Sequence, residues 1–244
     1  MRLPLAVKAL GCNLSLLKEL IYPRRCAICH RTIEDGCLCT TCRKGFVLSM
    51  HKHFTAPLEN YLNMNISLTA EDVLTDLYLL YKYDGVFKQF LRQLKFENRF
   101  ELIPPLREEL AQALPPRYQQ WLASFDYITC IPTSPERLAQ RGFDIPQELF
   151  APSFKKRQSL YVPELLQRHK ETVPLFNLQP DERRQELLGC FKVNAKYPVF
   201  GKRILLCDDI YTTGSTFVEA SAALKRAGAV EVTALAFTAA KENW

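Results

Sequence analysis

The sequence predicts an α/β protein, a parallel sheet flanked by helices and preceded by a small cysteine-rich metal module. Three observations predict it. The apolar run Ile204–Cys207 is bounded by Gly201-Lys202-Arg203 before it and two aspartates after it, the pattern of a strand buried on both faces of a parallel sheet. From about residue 77 onward, strand-like and helix-like segments alternate, which is how parallel sheets are connected. Two C-x-x-C knuckles, Cys26-Ala27-Ile28-Cys29 and Cys39-Thr40-Thr41-Cys42, lie close together ahead of that alternation.

Composition sets the bounds. A chain of 244 residues with 48% hydrophobic and 24% charged residues has enough apolar material for a packed core, as one large domain or a medium domain with a small module. Its net charge of +6 permits nucleic acid as a partner without requiring it. No run approaches the length of a membrane span. Residues 1–21 read as an amphipathic helix ending before Pro23, because Lys8 interrupts the apolar run and Leu14, Leu17, Lys18 and Leu20 alternate in helical fashion. That reading gives a cytoplasmic protein. In that setting nine cysteines, an odd number, indicate metal ligands and free thiols instead of disulfides.

Residues 22–48 form the metal module. Cys26, Cys29, Cys39 and Cys42 can supply four thiolates to one tetrahedral zinc ion, and four cysteines leave no open position for catalysis, so the zinc is expected to be structural. A redox-active C-x-x-C is the alternative. Cys37 and His30 are extra donors without knuckle spacing. Five basic residues (Arg24, Arg25, Arg31, Arg43 and Lys44) face two acidic ones here, a charge balance that suits phosphates or simply solvent. Residues 49–72 are irregular and read as a linker, in which His51 and His53 are solvated.

The main domain spans residues 73–244. Leu77–Tyr83 is its first strand, closed by the turn signal Asp84-Gly85. Val86, Phe90, Leu91 and Leu94 recur at helical spacing up to Lys95-Phe96, and a second helix runs from about Phe100 to Leu114. Phe125–Ile131 is the next strand. It leads into Pro132-Thr133-Ser134-Pro135, where Ser134 can cap a helix with Pro135 at its first position and Arg137 and Arg141 one turn apart. Gln179–Leu188 reads as a helix with Gly189 at its C-cap; Lys155-Lys156-Arg157 reads as an exposed loop. Cys130, Cys190 and Cys207 adjoin apolar residues and read as buried thiols.

The chemistry concentrates in Ile204–Thr216, ILLCDDIYTTGST. Asp208 and Asp209 stand at the carboxyl end of the central strand, where open α/β sheets place ligands. Thr212, Thr213, Gly214, Ser215 and Thr216 then form a small hydroxyl-rich loop entering the helix Phe217–Ala227, which Gly228 closes ahead of a last strand, Val230–Thr238. Backbone N–H groups, hydroxyls and the positive helix end suit a phosphate, while the carboxylates suit ribose hydroxyls or Mg²⁺. Together they are what a ribose 5-phosphate needs.

This stretch resembles the phosphoribosyl pyrophosphate (PRPP) motif of type I phosphoribosyltransferases. The segments YKYDG…LKF, CIPTSPERLAQRGF and LQRHKET, followed by GKRILLCDDIYTTGST, are similar in order to the ComF/GntX family, which joins an N-terminal zinc ribbon to a phosphoribosyltransferase-like domain. The resemblance runs from about Tyr22 to Thr238. It implies a type I phosphoribosyltransferase-like sheet, PRPP bound with Mg²⁺, Thr133 and Ser134 near the pyrophosphate, Arg137 and Arg141 neutralising its charge, and Arg168 and Lys170 on a segment closing over the ligand. Where the family carries asparagine after its glycine-phenylalanine pair, this chain has Asp144, an added negative charge near the expected ligand. The resemblance further implies a role in natural transformation, in handling single-stranded DNA during uptake with a competence helicase as partner. Two functions stand side by side: a PRPP-binding accessory protein, or an active phosphoribosyltransferase on an unidentified acceptor with no link to DNA. No residue is assigned a catalytic role.

Overall fold

The computed structural model describes residues 23–34, 38–49, 73–83, 85–113, 118–154, 160–170 and 179–239. The helix expected over 1–21, the linker from residue 50 onward with His51 and His53, Cys37, and Lys155–Arg157 lie outside the described residues. The chain divides into two compact units, residues 1–48 and 49–244.

In the first unit an isolated bridge between Arg25 and Thr32 closes a tight loop around Cys26 and Cys29. The Cys26 N–H donates to the Arg31 carbonyl at 2.8 Å, and the His30 N–H donates to the Cys26 carbonyl at 2.9 Å. Helix α1, Thr40–Ser49, begins immediately after Cys39 and carries Cys42. Cys39 and Cys42 therefore lie three residues apart across one helical turn, on the same side.

The second unit is built on a four-stranded sheet, all parallel, in the order β1-β6-β5-β2. Its strands are β1 (Asp76–Lys82), β2 (Tyr127–Cys130), β5 (Arg203–Tyr211) and β6 (Glu231–Ala239). A separate antiparallel pair joins β3 (Leu166–Arg168) to β4 (Phe191–Val193). The helices are α2 (Gly85–Phe96), α3 (Ile103–Ala113), α4 (Tyr118–Ala123), α5 (Pro135–Arg141), α6 (Ile145–Phe154), α7 (Pro180–Leu187) and α8 (Ser215–Arg226). The α/β class and the parallel sheet are as the sequence predicts, and the Ile204–Cys207 run lies on an interior strand, between β6 and β2.

Two differences bear on function. β5 does not stop at Cys207 but continues through Asp208 and Asp209 to Tyr211, because β6 pairs with it over that whole length, Asp208 opposite Ala236 and Tyr211 opposite Ala239. The acids are thus part of the rigid sheet. Likewise α8 begins at Ser215, so the free loop is only Thr212–Gly214.

Packing fixes the elements that reach the cleft. On α2 the buried stripe is Phe87, Phe90, Leu91 and Leu94, a helical period that lays one face on the core and leaves Lys95 at the helix end. Truncating such a leucine to alanine costs about 2–5 kcal/mol. Phe87, Tyr81 and Phe237 meet at ring-centroid distances of 4.5–5.5 Å, locking α2 onto β1 and β6.

Candidate functional site

Where the central strands end, the second unit has a cleft of about 230 Å³. That is small beside pockets for drug-sized ligands, roughly 300–1,000 Å³. Its cations are Lys95, Arg137, Arg141 and Arg168, and its carboxylates are Asp208 and Asp209. Thr133, Ser134, Thr212, Thr213, Ser215 and Thr216 supply hydroxyls. Of the residues the sequence singles out for PRPP, all but Gly214 line this one cleft.

Gly214 shapes the loop from behind. It is the residue before α8 and has a φ of +79°, in the left-handed region that glycine adopts without strain. A Cβ there would also stand 2.6 Å from the Tyr211 hydroxyl. Only glycine satisfies both conditions, and the turn it makes presents the first amides of α8 to the cleft, with Ser215 and Thr216 as the opening residues. Thr213 Oγ1 and Ser215 Oγ lie 3.0 Å apart across this turn. Unsatisfied first-turn N–H groups of a twelve-residue helix can accept an anion.

The acid pair is held firmly. Asp208 Oδ1 accepts the Asp209 N–H at 2.8 Å, and the Asp209 carbonyl accepts the Thr238 hydroxyl at 3.0 Å. Burial pushes the Asp208 carboxyl well above the usual carboxylate range, and the neighbouring Asp209 charge pushes it further. Lys95 Nζ stands 2.6 Å from Asp209 Oδ2. The Arg141 guanidinium spends one bond inside the protein, Nη2 to the Lys95 carbonyl at 3.2 Å, and its Nε is buried without a hydrogen-bond partner. Burial lowers the proton affinity of Arg141 and Arg168 alike, the signature of cations partly withdrawn from water. Both remain charged at any working pH. A compact polyanion would give the cations Lys95, Arg141 and Arg168 a common partner.

In the first unit the sulfurs of Cys26, Cys29, Cys39 and Cys42 all lie within 4.8 Å of one another. The Cys29 and Cys39 sulfurs are 3.7 Å apart. Tetrahedral zinc with Zn–S bonds of about 2.3 Å places its sulfurs about 3.8 Å apart, so the donor set fits a thiophilic tetrahedral ion such as zinc. Burial pushes the Cys26 thiol up, but hydrogen bonds from the backbones of Cys29, Cys39 and Ile28 outweigh it and bring it down to about 6. The Cys42 N–H lowers Cys39, whereas burial and the three neighbouring sulfurs drive Cys42 up. Four thiols packed this tightly cannot all ionise unless a cation joins them.

No family model matches the chain. It is 28% identical over 209 residues to the DNA utilization protein YhgH of Escherichia coli (strain K12), an alignment covering 85% of this chain and 86% of that protein. It is 27% identical over 208 residues to the competence protein ComFC of Streptococcus pneumoniae (strain ATCC BAA-255 / R6), covering 82% of this chain and 86% of the relative. These similarities support the ComF-family resemblance.

The aspartate at 144, where the ComF resemblance implies asparagine, has a structural task. Its Oδ2 accepts the Thr133 N–H at 2.9 Å and its Oδ1 accepts the Gln147 N–H at 3.1 Å. Both oxygens are occupied, one by the loop after β2 and the other by the first turn of α6. Asparagine would put an NH₂ donor in place of one of these two oxygens, facing an N–H, and would lose one of the bonds as they are arranged here. Asp144 is not among the residues lining the cleft, but its carboxyl lies within electrostatic range of Asp209 and Arg141, which are. Thr133 lines the cleft with its N–H held by Asp144, and its side chain hydrogen-bonds the same carboxyl. Ser134 precedes α5 in extended conformation but makes no side-chain cap bond, and it lies buried on the cleft wall.

Two cleft residues fell outside the set drawn from the PRPP motif and its flanking arginines. Lys95 arrives from the last turn of α2, 114 positions before its partner Asp209; its one signal was the LKF segment shared with the family. Arg168, expected on a segment that closes over the ligand, sits on β3 with its guanidinium 5.7 Å from the centre of the Phe191 ring on β4. Lys170, its companion in that reading, donates to the Glu186 carbonyl at 3.1 Å and is not among the cleft-lining residues. Among the described residues no helix is long and apolar enough to cross a membrane.

Proposed function

We propose that this chain binds PRPP together with Mg²⁺ in the cleft at the end of β5, and serves as an accessory protein in the handling of incoming single-stranded DNA. The observation that carries the reading is the meeting of Asp208 and Asp209 with the α8 N-terminal loop and four cations in one small cleft. The loop's N–H groups and hydroxyls hold the 5-phosphate. The acid pair takes the ribose hydroxyls, and Arg137, Arg141 and Arg168 take the diphosphate by charge-assisted hydrogen bonds. Mg²⁺, when bound, supplies neutralisation of the diphosphate charge, and the carboxylate oxygens are the hard donors it prefers.

The DNA part rests on the relatives' names, competence protein and DNA utilization protein, and on the first unit's charge. Arg24, Arg25, Arg31, Arg43 and Lys44 are all exposed there. A structural zinc on the four cysteines would keep that basic surface folded. Affinity for a single-stranded oligonucleotide is expected to fall steeply with added salt, and by about tenfold or more when Arg24 and Arg25 are changed to glutamate. Affinity indifferent to both would remove DNA from this account.

A second reading, phosphoribosyl transfer, is favoured by the apolar wall that Ile131, Ile145, Pro146 and Leu187 set beside the cations, a surface against which a flat acceptor could rest. Calorimetry with PRPP and Mg²⁺ tests binding, which both readings require. Pyrophosphate release in an acceptor screen separates them.

A further inference from the structure

Asp209 and Lys95 form the tightest charge pair in the cleft, and each is fixed from behind. The Asp209 side chain is 6% exposed and sits on an interior strand. Lys95 is delivered by a helix end whose preceding residues Phe90, Leu91 and Leu94 are fully buried. Its carbonyl is braced by Arg141 from the end of α5. The ammonium therefore reaches Asp209 from an anchored backbone, along a flexible four-carbon stem.

Two adjacent buried carboxylates repel one another, and a buried charge needs a partner. Asp208 meets part of that need through the Asp209 N–H. Asp209 has Lys95. We propose that Lys95 is the resident counter-cation of the acid pair, filling in the ligand-free protein the role a divalent ion would otherwise take. The inference rests on the reading of the acid pair as the Mg²⁺ and ribose site, and deepens it. Its consequence is a gating of affinity: the free protein takes up a divalent ion poorly, and does so well only when an anionic ligand offers the Lys95 ammonium another partner. Lys95 is in this sense a positioning residue, acting through Asp209.

Mn²⁺ is a suitable probe, as a hard ion with the same oxygen donors whose free form is counted by electron paramagnetic resonance. The titrations contain Mn²⁺ alone, without PRPP, on the full chain. Wild type is expected to bind weakly at the acid pair, with little change on Asp209→Asn. Lys95→Met should bind about tenfold tighter or better, equivalent to about 1.4 kcal/mol. Adding Asp209→Asn to Lys95→Met should abolish the gain, and Lys95→Arg should behave as wild type. Melting of Lys95→Met should become Mn²⁺-dependent, while that of wild type should not.

The proposal is overturned if folded Lys95→Met binds Mn²⁺ no better than wild type, or if its gain survives loss of Asp209. It is equally overturned, with no variant's folding at stake, if wild type alone binds Mn²⁺ tightly and Asp209→Asn removes that binding. Because PRPP is absent throughout, failure here is distinct from failure of the PRPP reading, which is tested by titrating wild type with PRPP and Mg²⁺.

Discussion

At Asp208 the needs of the fold and of the cleft conflict. Its carboxyl is buried in the sheet, and its proton affinity in the folded chain exceeds the unfolded value of about 3.9. A group with a raised folded pKa contributes stability that is full below the unfolded value and lost as pH rises through the folded one. The contribution of Asp208 to stability should therefore fall on going from about pH 4 toward neutrality, a loss that Asp208→Asn would remove. Asparagine keeps the Oδ1 acceptor for the Asp209 N–H. The variant should melt about 2–4 °C higher than wild type at pH 7 for each kcal/mol relieved, and its melting point should vary less with pH. An unchanged melting curve across that range would mean the carboxyl is not strained. Residues of this kind were legible in the sequence because their neighbours announce them: an apolar run, two acids, then threonines and a glycine. Lys95 was not legible as a cleft residue, and Arg168 was legible only through the family resemblance. Nothing in the local pattern says that a helix end far upstream and a three-residue strand fold over the same strand terminus.

Among the elements, the loop after β2 and helix α6 are joined by one side chain. Asp144 holds the Thr133 N–H in one direction and caps α6 in the other. Asp144→Ala should cost about 0.5–2 kcal/mol from the lost cap alone. It should also loosen Thr133 and Ser134, so that ligand affinity falls beyond what stability accounts for. Asp144→Asn can retain one of the two bonds and should fall between. Equal affinity in all three proteins would detach this loop from the site. Helix α6 itself was missed in the sequence, since Pro152 and Ser153 near its end read as loop signals. Yet it buries Ile145, Leu149, Phe150 and Phe154, and that packing outweighs the local preference. The strands β3 and β4 were missed for a different reason. Three residues are too few to show a period of two, whereas β5 and β6, nine residues each, declared themselves. The continuation of β5 through two aspartates also runs against the rule that ends a buried strand at the first charge; pairing with β6 on the far side of the acids is what carries it on.

At the scale of the molecule, the two units solve different problems of stability. The larger has an extensive core around the sheet, whereas the described part of the first buries few apolar residues, and a metal on its four cysteines would staple it. Zinc should be present at one per chain in protein purified under reducing conditions, and Cys26→Ser with Cys29→Ser should remove it. Chelation should unfold the first unit while leaving the melting transition of the second nearly intact. Loss of the second unit's transition on chelation would contradict that division. The paired knuckles made this unit legible from spacing alone; the helical setting of Cys42 on α1 was not, because Thr40 and Thr41 give no helical signal.

The central claim is that the acid pair and the α8 loop bind PRPP. Its most direct test is calorimetric titration of PRPP into wild type and into Asp208→Asn/Asp209→Asn, each with Mg²⁺ and with chelator. Saturable one-to-one binding to wild type that needs Mg²⁺, and that falls at least about a hundredfold, or roughly 2.7 kcal/mol, in the folded double variant is the predicted result. No heat of binding to folded wild type, or equal affinity in the double variant, would contradict it.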